Sequence, residues 1–192
     1  EFIPICLMHW EDNFRYFEAL RELQDRDLVG HVGCSVMTPA ATEAILASGL
    51  VDAIQVPGSV LDSRFIAPGG ISDRAAQQGV AVFLRSIYLQ GLVFLAEDHI
   101  PPELGDVIAP RRRLREIADE QDTTMGELCL RYALTLSGVA SVVVGVETPE
   151  QMVQNLELCA AGPLEDALMA RIAEAVPQLP DIVVMPTLWP KK

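Results

Sequence analysis

Ile5-Cys6-Leu7-Met8-His9-Trp10 runs four apolar residues into an imidazole, and the acids Glu11 and Asp12 follow at once. An apolar run without polar relief fits a β-strand buried on both faces. A histidine where such a strand meets a loop is more often a satisfied structural residue than a catalyst. It gains interest when neighbouring strands deliver polar groups to the same place. The next strand, Val29–Ser35, ends on a hydroxyl, and Gln55 lies near the end of a third, Ala53–Val56. Each of the three polar residues follows apolar ones. In parallel strands the C-terminal ends share one face, so the three side chains can converge on one ligand. A serine at a strand end is more often a turn former. It is therefore the set, and no single member, that points to a site.

The remaining pattern supports parallel strands. Asn13–Asp27 reads as a helix with Phe14, Phe17, Leu20 and Leu23 on one face. Thr38-Pro39 opens a second helix, threonine capping its free amides and proline tolerated in the first turn, and Gly49 stops it. Ser72–Gln78 is a short helix, and Val80–Ser86 is a fourth strand. Leu95–Pro110, rich in proline and acid, reads as a functional or lid-like loop. Helices follow over Arg111–Gln121 and Thr124–Leu136, a fifth strand over Ser141–Val146, then helices over Pro149–Cys159 and Leu164–Val176. Residues 177–192 form a proline-spaced C-terminal tail.

Strands alternating with helices predict an α/β fold with helical crossovers. The chain carries neither GxGxxG nor GxxxxGK[ST], which removes the dinucleotide fingerprint and the P-loop and shifts the reading to a barrel. Length is consistent with one domain over the 192 residues.

Composition excludes several classes. Half the residues are hydrophobic and 21% are charged, as in a globular protein. A formal net charge of −13 argues against a nucleic acid or an anionic membrane as partner, since both attract basic surfaces. The lysines are Lys191 and Lys192, so no lysine in the body of the chain can serve as a base or Schiff-base former. Cys6, Cys34, Cys129 and Cys159 are far apart, lack metal-site spacing and read as reduced packing residues of a cytoplasmic protein. No apolar stretch is long enough to span a bilayer.

The ordered phrases of this chain resemble the C-terminal part of the aldo/keto reductase superfamily. Leu7-Met8-His9-Trp10 resembles the fourth-strand phrase that ends on that family's catalytic histidine, and Val32-Gly33-Cys34-Ser35 its "GVSN" strand. Ile54-Gln55-Val56-Pro57 with Leu61-Asp62-Ser63-Arg64 is similar to its "IQVPYNLLDRR" segment. Arg85-Ser86-Ile87-Tyr88-Leu89-Gln90-Gly91-Leu92 is close to the "RSVFLQGLL" of a bacterial branch. Val143-Val144-Gly145-Val146, then Thr148-Pro149-Glu150-Gln151 and Asn155, resemble the last strand and the cofactor-binding helix.

The resemblance implies a (β/α)8 TIM-barrel-type fold. This chain would cover about strands four to eight of it. It also implies reduction of an aldehyde or ketone by hydride from NADP(H) or NAD(H). His9 matches the histidine that orients and polarises the carbonyl, a task suited to a ring that donates a hydrogen bond and titrates near neutrality. Ser35 and Gln55 match positions that hold the nicotinamide carboxamide. A hydroxyl and a side-chain amide together offer it a donor and an acceptor. Val36 stands where the family has asparagine. Arg85 occupies the place of the aromatic that stacks on the nicotinamide; a guanidinium can stack too, or it can pair with a carboxylate. Gly145, Thr148, Gln151 and Asn155 match the adenosine end. There Thr148, Pro149 and Gln151 form a capping-box helix start, whose free amides suit a phosphate; otherwise they make a well-capped surface helix. No Lys or Arg lies between Val142 and Leu158, so weak discrimination between the two cofactors, or a preference for NADH, is expected.

The family's acid is a tyrosine, assisted by a lysine and an aspartate on earlier strands. None of Tyr16, Tyr88 and Tyr132 matches it. Five strands do not close an eight-stranded barrel, and the first and last should show bare edges and an apolar face. The expected partners are therefore a small carbonyl substrate and either the missing N-terminal strands or another copy covering the edges. A fragment of a longer reductase is the favoured reading. The alternative is a non-catalytic reductase-like module that binds a nucleotide or a protein.

Overall fold

The computed structural model describes residues 2–190, which fall into two compact units. The first comprises residues up to 57, 64–85 and 137–143, and holds the whole sheet. Its strands are β1 (Ile3–Met8), β2 (Val29–Ser35), β3 (Ala53–Pro57), β4 (Ala81–Arg85) and β5 (Ser141–Val143). All neighbouring pairs are parallel and the order is β1-β2-β3-β4-β5. A doubly wound sheet reverses its strand order at a switch point; this one does not, so it is wound as a barrel is.

The core of this unit lies along β2, β3 and β4, where Val32, Cys34, Ile54, Val56 and Leu84 are fully buried. Gly33 is fixed by crowding. A Cβ there would stand 2.0 Å from the Ala53 carbonyl oxygen and 2.7 Å from Leu7 Cδ2. Helix α1 (Phe17–Asp25) packs on β2 through Phe17, with Leu20 and Leu23 half-buried. The three-residue-per-turn segment Glu11–Tyr16 precedes it, so the expected helix begins as a tighter coil. Helix α2 (Pro39–Ala47) starts as its sequence predicts: Thr38 Oγ1 accepts from the Ala41 N–H at 3.3 Å, and Gly49 ends it at φ 65°. Helix α3 (Ile71–Gln77) completes the unit.

The expectation that β1 is buried on both faces is wrong. Ile3 is 48% and Ile5 41% exposed, and Cys6 to Met8 are half-buried. The strand pairs only with β2, so its apolar run lacks a second neighbour among the described residues. An apolar run records what a strand is suited to touch, and here one side of that contact is open. The edge exposure expected of an open barrel sheet is thus present at β1.

The second unit comprises residues 58–63, 86–136 and 144–190 of the described chain. It contains α4 (Ile108–Glu120), α5 (Met125–Thr135), α6 (Pro149–Ala160), α7 (Asp166–Ala175) and α8 (Asp181–Val184). Packing of α4 against α5 and α7 buries Leu114, Ile117, Leu128, Leu130, Ala133 and Ile172. The lid-like loop expected over Leu95–Pro110 is instead a packed segment. It forms short turns at Glu97–His99 and Pro102–Val107 and then enters α4, with Ile100, Leu104, Val107 and Pro110 buried. Its apolar residues recur at three- and four-residue intervals, which gives it an inner face. Pro110 sits in the first turn of α4, where its missing N–H costs nothing. The segment read as a tail also packs: Leu179, Val183 and Val184 are buried and α8 meets the Pro102–Val107 turn. Lys191 and Lys192 lie outside the described residues. The fifth strand ends at Val143, three residues before the expected Val146.

All four cysteines are free thiols. Cys34 and Cys129 pack in the interior as expected, Cys6 is half-buried, and Cys159 on the exposed helix α6 is not a packing residue. No helix among the described residues is long and apolar enough to cross a membrane.

Candidate functional site

Register decides what meets at the C-terminal rim of the sheet. Met8 pairs with Cys34, Ser35 with Gln55, Gln55 with Phe83, and Pro57 with Arg85. His9 follows Met8 as Ser35 follows Cys34, so both come at the same level on adjacent strands. Ser35 and Gln55 are direct partners across β2 and β3, and the Ser35 hydroxyl donates to Gln55 Oε1 at 3.2 Å. That bond orients both groups. The hydroxyl spends its proton on Gln55, which leaves its oxygen as an acceptor, while the Gln55 Nε2 remains a donor. Ser35 is 7% exposed and Gln55 half-buried, so the pair is set in the wall and not on a free loop. His9 is exposed, its ring edge-on to Trp10 at 5.3 Å between centroids.

Arg85 lies one step further along the rim. Its Nη2 donates to the Val36 carbonyl at 3.1 Å and reaches Met37 Sδ at 2.8 Å. Burial lowers its pKa. The sequence left open whether this guanidinium stacks or pairs with a carboxylate; the structure engages it with the turn after β2. Val36, at the position where an amide side chain was expected, is fully buried. Beneath the rim, the Cys34 thiol is pushed up to about 11, first by burial and then by the charge of Glu11.

A separate cluster lies within the second unit. Thr148 caps α6, its Oγ1 accepting from the Gln151 N–H at 3.3 Å, and Gln151 Oε1 accepts from the Glu147 N–H at 2.7 Å. The Thr148 cap is the one the spacing predicts, but Gln151 reaches back to the amide of Glu147, one residue before the cap, and not to that of Thr148 as a capping box would. Beside it opens a cleft of about 440 Å³, lined in part by Gly145, Gln151 and Asn155. Thr148 does not line it. Tyr88 and Phe94, ring to ring at 5.2 Å, form an aromatic wall, and Gln154 adds an amide. Among the described residues no charged side chain lines this cleft. That Tyr88 and Phe94 meet α6 is not legible in the sequence, because they belong to a segment distant from that helix. Gln154 is legible in principle as the residue one helical turn from Gln151.

Tyr16 is exposed after β1. Burial raises the Tyr132 pKa, with the charge of Asp62 adding to it. The Tyr88 phenol is pushed up to about 12 by burial first, with Cys129 and Cys159 contributing. Among the described residues no group of His, Cys, Asp and Glu is arranged to hold a metal ion.

A parallel sheet wound without reversal, with polar side chains gathered where its strands end, defines a (β/α)8-type α/β protein with its candidate site at the C-terminal rim. The chain matches the Aldo/keto reductase family over residues 4–177 and belongs to that family. It is 27% identical over 169 residues to the D-threo-aldose 1-dehydrogenase of a Pseudomonas species, covering 83% of this chain and 50% of that protein. Among solved structures it is similar to the holo form of an aldo-keto reductase from Bacillus halodurans, with a TM-score of 0.77 and 24% identity, over 93% of this chain and 62% of that one. It is also similar to the glycerol dehydrogenase of Gluconobacter oxydans, with a TM-score of 0.72 and 16% identity, over 97% of this chain and 60% of that one. The chain thus spans about half the length of the curated relative it matches. The five strands are part of a TIM-barrel fold of the aldo-keto reductase type.

Proposed function

We propose that this chain contributes to the NAD(P)H-dependent reduction of an aldehyde or ketone, or the reverse oxidation of an alcohol. The observation that carries the reading is the Ser35–Gln55 pair: one acceptor and one donor, fixed to each other at the rim of β2 and β3. A primary carboxamide offers the complementary donor and acceptor, as the nicotinamide side group does. Bound there, a nicotinamide cofactor would supply the hydride. His9, at the level of Ser35 on the next strand, donates a hydrogen bond to the carbonyl oxygen and orients it. Arg85 holds the adjoining turn. In the second unit, the cleft lined by Gly145, Gln151 and Asn155 beside the Tyr88–Phe94 wall suits an adenosine, and Thr148 serves by capping α6. A cleft that no cationic side chain lines among the described residues suits an adenosine with a free 2′-hydroxyl, so NADH is taken at least as well as NADPH.

The catalytic tyrosine, lysine and aspartate are contributed from outside this chain. The open edge of β1, with Phe2, Ile3, Ile5 and Trp10 exposed, is covered by the N-terminal strands of the barrel or by another copy. The partner is a small carbonyl compound; neither nucleic acid nor membrane is engaged, and the protein works in the cytoplasm.

A second reading is favoured by Val36 and Arg85: with no amide after Ser35, and the guanidinium held on the turn, the chain serves as a non-catalytic nucleotide-binding module. Incubating the intact protein with NADH or NADPH and a panel of aldehydes, and following the reduced nicotinamide band, separates the two. Turnover that falls at least a hundredfold in His9→Ala is expected. Binding without turnover favours the module, and no binding of either cofactor ends both readings.

A further inference from the structure

Glu11 leaves the sheet two residues after His9 and turns its carboxylate onto the segment that follows Ser35. Its Oε2 accepts from the backbone N–H groups of Met37 at 2.7 Å and Thr38 at 3.1 Å, and its Oε1 accepts from Thr38 Oγ1 at 2.9 Å. Thr38 is the cap of α2, so the negative charge rests where the dipole of a nine-residue helix favours it. From the opposite flank Arg85 donates to the Val36 carbonyl. The turn over residues 36–38 is therefore gripped by an acid that follows β1 and a base that ends β4.

The grip matters because of where β1 stands. It is an edge strand, half-exposed, and His9 at its end is exposed. Among the described residues, the three bonds of Glu11 are the only side-chain hydrogen bonds that tie residues 9–16 to anything else. Packing fixes Ser35, whereas the exposed stretch that carries His9 is held by the pairing of Met8 with Cys34, by Phe14 against Phe17 and by the hydrogen bonds of a single carboxylate. We infer that Glu11 is a positioning residue: it sets the imidazole of His9 relative to Ser35 by joining the two segments that follow them. This rests on the functional reading of His9 given above.

The consequence is kinetic, because a displacement of about 1 Å in a reacting geometry costs on the order of a hundredfold in rate. Glu11→Ala in the intact protein should lower kcat for the carbonyl by about ten- to a hundredfold at temperatures well below its unfolding midpoint. Glu11→Gln, whose amide oxygen still accepts from both N–H groups, should recover part of it. The decisive comparison adds His9→Ala: with the imidazole gone, removing Glu11 as well should cost no further activity. Wild-type kcat in Glu11→Ala, or losses that multiply independently of His9, would overturn the inference and leave Glu11 a stability residue. If Glu11→Ala does not fold, the same cycle with Glu11→Gln carries the test, and unchanged kcat there overturns it. The NMR signals of the His9 ring give a readout free of turnover. They should broaden or double in Glu11→Ala and sharpen again in Glu11→Gln, and a ring signal unmoved by either change contradicts the tie. A wild-type protein that binds no cofactor while its His9 signal still responds to Glu11 would sink the functional reading alone.

Discussion

The middle of the sheet and helix α6 each present candidate binding residues, and they hold them in opposite ways. Ser35 and Gln55 rise from strands whose alternate residues, Val32, Cys34, Ile54 and Val56, are fully buried. Helix α6 buries no residue at all, and its Val153 and Leu156 are 55% and 62% exposed. In the first case the core sets the site. In the second a cap of two side-chain hydrogen bonds organises the start of the helix. Changes in the sheet should therefore register as global stability, and changes at α6 as local opening.

The largest effect is expected at Gly33. A methyl group there collides with backbone, the Ala53 carbonyl oxygen at 2.0 Å, which a rotamer change cannot relieve. Gly33→Ala should cost about 3 kcal/mol or more, at the upper end for overpacking, read as a shift of the urea midpoint. A near-neutral result would mean that β2 and β3 are not as close as described.

The buried thiols give the next effect. The Cys129 thiol is pushed up to about 12 by burial and Cys34 to about 11, against an ordinary 9.0. The folded state keeps these protons above the pH at which the unfolded chain releases them. Their stabilisation is complete below pH 9.0 and is lost as pH rises from there towards the folded values. Each thiol should remove on the order of 1 kcal/mol between pH 9 and 10. The drop in unfolding free energy from pH 8 to 10 should be smaller in Cys129→Ala than in wild type. An equal drop would mean that the site is wetter than its burial implies.

Thr148→Ala removes the cap of α6 and should cost that helix about 1 kcal/mol. Because α6 buries nothing, hydrogen exchange of its amides should accelerate while the global unfolding midpoint hardly moves. A large global loss would erase the contrast drawn above. The smallest effect is one of reactivity. Cys159 should label rapidly with a thiol reagent at pH 8, Cys6 more slowly, and Cys34 and Cys129 only on unfolding; early labelling of Cys129 would contradict its burial.

Strand and helix positions were legible because local chemistry fixes them. Thr38-Pro39 and Thr148-Pro149 announce helix starts, Gly49 announces a stop, and apolar runs announce strands. The alignment of Ser35 with Gln55 was legible too, since each closes or nearly closes its strand. Burial was not. The run at β1 is at least as apolar as β3 yet stays exposed or half-buried, because the number of neighbouring strands is a property of the sheet and not of the run. The segment 95–110 misled for a related reason: its prolines suggested an open loop, while the spacing of Ile100, Leu104 and Val107 turned one face inward. Glu11 carried no motif. Its partners Met37 and Thr38 lie some twenty-six residues away, and only the parallel pairing of β1 with β2 brings them together.

One measurement bears most directly on the claim that Ser35 and Gln55 together receive a carboxamide. The intact protein's affinity for NADH is compared with that for the 3-acetylpyridine analogue, which keeps the carbonyl and lacks the NH2 donor, in wild type and in Ser35→Ala. The wild type should favour the carboxamide by several-fold, the worth of about one hydrogen bond, and that preference should vanish in Ser35→Ala. A preference unchanged by the loss of the Ser35 hydroxyl, or no preference in the wild type, would contradict it.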